Sequence, residues 1–444
     1  MSAPISKEGH AMKKMLVAML ILSILFFSTI PSIQAEEKSQ ASPTLRLPDL
    51  IQQALEKNPE IAAAKAEWFA SKKRILASWA LPDPMGEYDI MGPMVETMTG
   101  PEKNRFMISQ EIPFPAKLWE KRKAAKAEAE SVHARFRALE RDITNKLTQL
   151  YFELYYIDAS LDTLAEVKEL LKKIEGVAQA RYSNLSGAQR DVAKAQTEFS
   201  LNLEKLYTLE QQRESVVAQM NALLDQDPMI AIGKAMLPPK PALDRPLVEL
   251  INLAVQNRQE IKEAEATVSK TRYSKRLAQL AYFPDVNVGF EYIRIGDGST
   301  MAANDGKDAW MFPLRVNLPA WQNRIIPEIQ EAKKLEEAQK SKLLAVKNQT
   351  FFEVKDAYYR FKTASKIADL YEVAIVPQAK LTLSADQAGY ESGKSSFLDL
   401  LDSERVYLNA KLSEVQFLAE ALKAYAHLSW ATGLDLDKNN PPLL

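Results

Sequence analysis

Most of the chain shows the spacing of apolar residues that is typical of amphipathic helices. This pattern predicts helices over about 47–80, 114–182, 188–225, 246–281, 321–389 and 395–432. The helix over 114–182 would span about 100 Å at 1.5 Å per residue. The two shorter helices of each half have nearly the summed length of the long one, so we expect them to stack end to end alongside it.

The last helix also carries a seven-residue repeat. Leu401, Leu408, Val415 and Leu422 follow one another at seven-residue steps, which is typical of a coiled-coil seam. Pro327 and Pro377 interrupt the pattern over 321–389. Because proline disturbs a helix interior, we expect that helix to start near 327 and to kink before 377.

Four short segments alternate apolar and polar residues, which is the period of a β-strand. They cover about 86–95, 105–112, 285–295 and 310–318. One apolar face rich in aromatic residues is typical of transmembrane β-barrel strands. Four strands cannot close a barrel and open edges are not tolerated in lipid, so several chains would have to pool their strands. The alternative is a small soluble sheet packed on the helices.

The sequence contains an internal repeat. The segment Leu50–Ile61 recurs as Leu250–Ile261 at an offset of 200, and the offset drifts to 208 where Tyr182 matches Tyr390. A period near 200 is too long for a solenoid, so we interpret the halves as a tandem duplication. The repeats would cover 36–236 and 247–444, joined by a Pro-rich linker over 237–246.

The N-terminus resembles an export signal. Lys13 and Lys14 precede an apolar run of about 16 residues that ends in small residues near Ala35. We interpret 1–35 as a cleaved signal peptide, with either Met1 or Met12 as the start. A retained membrane anchor is the alternative, although the run is shorter than the roughly 20 residues that span a bilayer.

Composition removes several classes of function. The chain has 57 Lys and Arg against 58 Asp and Glu, so it lacks the basic excess of a nucleic-acid binder. It has no Cys and only three His, which leaves little material for thiolate sites, zinc sites or His-based catalysis.

Five Met (Met85, Met91, Met94, Met98 and Met107) cluster near the first strand pair. Thioethers suit Cu(I) or Ag(I), but Met is also an adaptable packing residue. The sequence therefore predicts no catalytic residue, cofactor or metal site.

Two segments carry a family resemblance. Residues 390–402 (YESGKSSFLDLLD) and the duplicated plan of helix, two strands, long helix and return helix resemble the TolC-type outer-membrane efflux protein family. Residues 109–118 (SQEIPFPAKL) look like its heavy-metal cation branch (CusC/CzcC-like). Ala116 departs there from the glycine expected in that branch.

The resemblance implies a mainly α-helical fold with a small membrane β part. Three chains giving four strands each would form one β-barrel on a periplasmic helical tunnel. The expected place is the outer membrane of a Gram-negative bacterium, in contact with its lipid and extending into the periplasm. The expected partners are a periplasmic adaptor protein and an inner-membrane pump of the RND type. The implied protein is a passive conduit and not an enzyme.

The candidate site lies at the inner tip. Asp399 and Asp402 are three residues apart and therefore share a helix face. By resemblance they would line the periplasmic aperture as acidic rings, and such rings favour cations. Asp191 is the equivalent acid in the first repeat, where Ala195 offers no second one. The alternative is an ordinary solvated helix face.

Two helix turns complete the candidate site. Tyr182 with Gly187, and Tyr390 with Gly393, would form turns that touch the adaptor. Helix C-capping by glycine is the alternative, and it is compatible with docking.

Two other classes of protein stay open. A periplasmic helical adaptor or scaffold would also carry long hairpins, but it would need one hairpin rather than two copies. A periplasmic enzyme is disfavoured because catalytic groups are missing. The exported solute, metal cations or toxic organic compounds, is not separable from the sequence because a conduit needs no tight binding site.

Overall fold

The computed structural model describes residues 45–92, 96–297 and 303–436, so the predicted signal peptide lies outside the described residues. The helices of the first repeat are α1 (Leu47–Lys57), α2 (Pro59–Ala77), α3 (Pro115–Ser183) and α4 (Gln189–Leu223). Those of the second repeat are α5 (Leu247–Asn257), α6 (Gln259–Gln279), α7 (Gln322–Leu370), α8 (Val376–Glu391) and α9 (Phe397–Thr432). A 3₁₀ turn, Leu280–Tyr282, extends α6.

One antiparallel sheet joins the repeats. Its strands are β1 (Met85–Ile90), β2 (Glu96–Thr97), β3 (Gly100–Ile112), β4 (Val286–Ile295), β5 (Ala309–Met311) and β6 (Leu314–Val316). The order is β1-β3-β4-β5, with β6 also on β4 and β2 on the start of β3. The small sheet on a mostly helical chain confirms the predicted mainly α-helical fold with a small β part.

Some predicted strand bounds are wrong. β3 starts at Gly100 rather than 105, because a turn pairs it with β2. The segment predicted over 310–318 is split into β5 and β6, since Pro313 has no N–H to donate to the ladder. The carbonyl of Pro313 still accepts a hydrogen bond from the N–H of Gly289 at 2.9 Å. Residues 93–95, at the end of the first predicted strand, lie outside the described residues.

The predicted helix over 47–80 is two helices. Pro59 disfavours helical geometry at the residue before it, and Asn58 accordingly has an extended ψ of 124°. The second repeat breaks at the equivalent Arg258, with ψ 127° and no proline.

The prolines of α7 and α8 act differently from one another. The helix begins at Gln322, not near 327, so Pro327 lies inside it and removes one hydrogen bond close to its start. The irregularity expected before Pro377 is present as a π-helical turn over Tyr371–Ile375. Lys240 of the linker reaches this region: its Nζ lies 3.0 Å from Asp369 and also contacts Glu372.

The shorter helices meet end to end along α3. The Asn58 amide nitrogen donates to the carbonyl of Leu223, the last residue of α4, at 3.0 Å. Its amide oxygen accepts from the N–H groups of Glu60 and Ile61, so one buried side chain caps α2 and ties α4 to it. In the second repeat, Gly433 at the end of α9 lies close to the backbone of Arg258, where a Cβ on Gly433 would be 2.9 Å from the Arg258 nitrogen.

Apolar and charged side chains alternate along the strands, so the two faces of the sheet differ. Tyr88, Phe106, Tyr292 and Trp310 stand side by side across the strands on one face. The opposite face carries charged groups, among them Glu87, Asp89, Arg105, Glu291 and Arg315. Among the helices of the described ranges, none has both the length and the apolar character needed to cross a membrane.

Candidate functional site

The α3–α4 and α8–α9 turns lie side by side at the end of the helices opposite the sheet. Each turn has one residue with a left-handed backbone, Leu185 at φ 57° and Gly393 at φ 78°. Both stand three residues after a tyrosine, so they are equivalent at the offset of 208. The alternative of C-capping by glycine therefore applies to Gly393 and not to Gly187, because Leu185 takes the left-handed position after α3. Gly187 instead allows a close approach, since a Cβ there would lie 3.0 Å from the Cβ of Arg181.

Arg181 joins the two turns. Its guanidinium lies 4.6 Å from the ring centroid of Tyr390. One nitrogen donates to the carbonyl of Tyr390 and another to that of Ser186, the latter at 3.2 Å. Tyr390 is 3% exposed and packs on Phe397 at 5.4 Å between ring centroids. The Tyr390 ring is therefore part of the core and not available to a partner.

Two residues at the end of α3 and in its turn are exposed at the tip. Tyr182 is 41% exposed, whereas Leu185 is 95% exposed. A leucine that keeps a left-handed backbone and stays almost fully in water gains nothing from either property inside one chain. Sequence reasoning missed Leu185, although the offset of 208 pairs it with Gly393.

Asp399 and Asp402 lie on one exposed face of α9 together with Val406 and Asn409. Asp399 also forms a capping box: its carboxylate accepts from Ser396 N–H at 3.1 Å and Ser396 Oγ at 2.8 Å. One role of Asp399 is thus to fix the start of α9.

The first repeat offers a different pair of charges. Asp191 lies in the first turn of α4, with a carboxylate oxygen 3.6 Å from Arg190 Nε. Burial, followed by the charge of Asp191, raises the pKa of Tyr390. At the offset of 208, Lys194 and not Ala195 stands opposite Asp402. The two repeats therefore present unlike charges at this position.

A buried acid was missed by sequence reasoning. Glu404 of α9 is 1% exposed, and Asn202 of α4 is 3% exposed. Burial, followed by the negative charge of Glu198, raises the pKa of Glu404 to about 7. Glu198 also forms an ion pair with Arg405, so α4 and α9 are joined beside the buried acid. Glu404 lies three residues after Leu401, inside the predicted coiled-coil seam. A carboxylate at a seam position could therefore have indicated a buried acid from the sequence.

Within the ranges that the structure describes, no cluster of three or more His, Asp or Glu side chains could hold a metal ion. Of the clustered methionines, Met85 and Met107 lie on the charged face of the sheet. The sulfur of Met107 accepts a hydrogen bond from Arg315 at 3.4 Å. Met94 lies outside the described residues.

Residues 250–434 match the model of the family described as "Outer membrane efflux protein". A comparison with curated proteins gives no match. Among solved structures, the fold is similar to VceC from Vibrio cholerae, with a TM-score of 0.74 at 18% identity over 87% of this chain and 96% of that one. MtrE of Neisseria gonorrhoeae has a TM-score of 0.73 at 19% identity, covering 89% and 91% of the two chains. CusC has a TM-score of 0.75 at 15% identity, covering 88% and 93%.

The fold is similar to that of the solved outer-membrane proteins VceC, MtrE and CusC. Over residues 250–434, the sequence is similar to the outer membrane efflux protein family. The family resemblance predicted from the sequence is thereby confirmed. The assignment to a heavy-metal branch stays a prediction.

Proposed function

We propose that three copies of this chain form the outer-membrane channel of a tripartite efflux system, which carries small solutes passively to the exterior. The observation that carries the proposal is a sheet with one aromatic face and two open edges. Within the described ranges, β1 pairs only with β3, while β5 and β6 pair only with β4. Lipid cannot hydrogen-bond these edges, so β1 of one copy would pair with β5 and β6 of the next.

The helices support the same assembly. Exposed apolar side chains run along one face of α7 and continue on α8. They include Leu344 at 60%, Phe352 at 61%, Tyr359 at 52%, Val373 at 77% and Leu381 at 73% exposure. A stripe of this length on one chain is typical of a protein–protein contact.

The neighbouring copy offers a matching surface. Leu201 and Tyr207 of α4 are 46% and 62% exposed. α4 belongs to the opposite edge of the chain from α7, since the two repeats meet through α3, α6 and α9. We infer that α4 of one copy covers the stripe of the next, which closes a helical tunnel below the barrel.

Cysteine cross-linking tests the barrel directly because the chain has no Cys. We would combine Glu87→Cys on β1 with single cysteines scanned over 310–316. The proposal predicts that some pairs oxidise to covalent trimers and to nothing larger. Cysteines at Glu169 and Lys172, both exposed and in the last third of α3, away from the sheet, serve as the control and should not link copies. A ladder without an end at three copies would contradict a closed ring.

At the tip, we propose that Asp402 and Asp399 line the aperture, with Asp191 as a lesser contributor. Threefold symmetry would place three copies of each carboxylate around one axis, where close like charges favour cations. Asp402→Asn should lower cation selectivity in planar bilayers. Glu391→Gln, which removes an exposed acid from the adjacent turn, should leave it unchanged. Equal effects of both variants would contradict the assignment.

The same tip is the proposed docking surface for the periplasmic adaptor, which links the channel to an inner-membrane pump of the RND type. Leu185 and Tyr182 are the exposed contacts, while Tyr390 and Gly393 hold the shape of the neighbouring turn. The pump would supply the energy, so the chain itself catalyses no reaction. Growth of a deletion strain on metal salts against dyes and bile salts would separate metal cations from toxic organic compounds as the exported solutes.

A further inference from the structure

The helix ends beside the sheet carry a strong basic excess. Four nine-residue segments lie at the sheet ends of the helices: 71–79 (the end of α2 and its following turn), 115–123, 274–282 and 322–330. Together they hold ten Lys or Arg and two Glu, although the whole chain has a formal net charge of −1. We call these four segments the basic collar. Each segment is about 13 Å long at 1.5 Å per residue.

This excess is not a general property of the helix ends. The matching nine-residue segments at the opposite tip, 175–183, 189–197, 383–391 and 397–405, hold four Lys or Arg and seven Asp or Glu. Helix dipoles do not account for the collar either, because two of its helices begin there and two end there. The first turn of α3 has no acidic residue, although a helix start favours one.

Most of these cations lack an acidic partner. Among the residues that the structure describes, six of the ten make no ion pair: Lys72, Lys73, Arg74, Lys121, Arg122 and Arg276. Surface charges of one sign that the chain leaves uncompensated are available to an anionic partner.

Tryptophans stand among the unpaired cations. The guanidinium of Arg122 lies 4.9 Å from the ring centroid of Trp79 and 6.0 Å from that of Trp119. Trp79 is 51%, Trp119 54% and Trp321 73% exposed. Half-exposed tryptophan beside Lys and Arg is the pattern of a membrane–water interface, where the ring sits at the level of the headgroups.

We infer that the basic collar binds anionic phospholipid headgroups of the periplasmic leaflet, with Arg122 between Trp79 and Trp119 as a principal contact. The inference rests on the proposed function, because it needs the sheet to span the membrane. The collar begins where the aromatic face of the sheet ends, so it reaches the headgroup layer and the anionic surface potential just beyond it. Phospholipids and not lipopolysaccharide are the proposed ligands, because the helices lie on the periplasmic side.

Native mass spectrometry of the detergent-solubilised protein tests the collar. Dioleoylphosphatidylglycerol is titrated against dioleoylphosphatidylcholine, with lipopolysaccharide as a competitor. The test variant is Lys121→Gln with Arg122→Gln. The control is Lys173→Gln with Lys394→Gln, which removes the same charge from exposed positions near the tip.

The wild-type trimer should prefer phosphatidylglycerol, and the collar variant should lose about thirtyfold in its affinity at low salt. The control variant should keep the wild-type affinity. High salt should reduce the preference for phosphatidylglycerol in the wild type and in the control variant. Three results would overturn the inference. The first is an intact trimer that shows no preference for phosphatidylglycerol, and the second is an equal loss of affinity in the control variant. The third is a wild type that binds lipopolysaccharide more tightly than phosphatidylglycerol and a collar variant that loses this binding. If the wild type forms no trimer, the proposed function itself fails, and that result is distinguishable from these three.

Discussion

Glu404 gives the account a prediction with a defined sign and size. The side chain is 1% exposed between α9 and α4, and one carboxylate oxygen has no hydrogen-bond partner among the described residues. Burial, and then the charge of Glu198, raises its pKa from the ordinary 4.5 to about 7, against the opposing charges of Lys205 and Arg405. Glu404→Gln keeps the shape of the protonated acid and removes its titration.

The free-energy difference follows from linkage. At pH 4 the acid is protonated whether the chain is folded or unfolded, so no penalty exists. As the pH rises from 4.5 to 7, the unfolded chain ionises first and the folded state loses stability. Above pH 7 the penalty reaches about 3 kcal/mol, at roughly 1.4 kcal/mol per pH unit. The substitution removes that penalty.

The assay is thermal unfolding of the detergent-solubilised protein at pH 4.5 and pH 8. Glu404→Gln should unfold near the wild-type temperature at pH 4.5 and at a clearly higher temperature at pH 8. Glu391→Gln, an exposed acid at the end of α8, is the matched control and should change neither value. An equal shift of Glu404→Gln at both pH values would refute the reasoning, because it would show that titration is not the cause.

Three further substitutions probe the junctions and the tip. Asn58→Ala should cost about 2 kcal/mol of unfolding free energy in chemical denaturation, since it loses a helix cap and the bond to Leu223, whereas Asn58→Asp should keep the cap. Arg258→Ala should cost about 3 kcal/mol by the same measurement, because it leaves the carboxylate of Glu353 without its partner. Leu185→Gly should change stability by less than about 0.5 kcal/mol, because relief of the left-handed backbone offsets the entropy that glycine loses on folding. The Leu185 variant should nevertheless weaken adaptor binding in pull-down or surface plasmon resonance, and unchanged binding would contradict the docking proposal.

Periodicity was enough to predict the helices and the sheet. The seam positions Leu401, Leu408 and Leu422 are buried, as their seven-residue spacing indicates, whereas Val415 is half-buried. The break at Asn58 was also readable in principle, because Pro59 follows it. The matching break at Arg258 has no local signal, and only the internal repeat could have indicated it.

The exposure of residues at the tip was harder to predict, because it depends on packing between neighbouring turns. The aromatic Tyr390 looked like a docking residue, but packing against Phe397 and Arg181 buries it. The break over 184–187 was predicted, but leucine is an unusual residue for a left-handed position, so Gly187 rather than Leu185 was paired with Gly393. The comparison of charges between the repeats was also one residue out of register. Ala195 was matched with Asp402, whereas Lys194 is the equivalent residue at the offset of 208.

The mass of the detergent-extracted protein, measured by light scattering with the detergent subtracted, tests the central claim most directly. The account predicts a particle of three chains, because the sheet of one chain has two open edges and cannot close alone. A monomer that stays folded in solution without detergent would contradict the channel. It would leave a helical periplasmic scaffold as the better description of this chain.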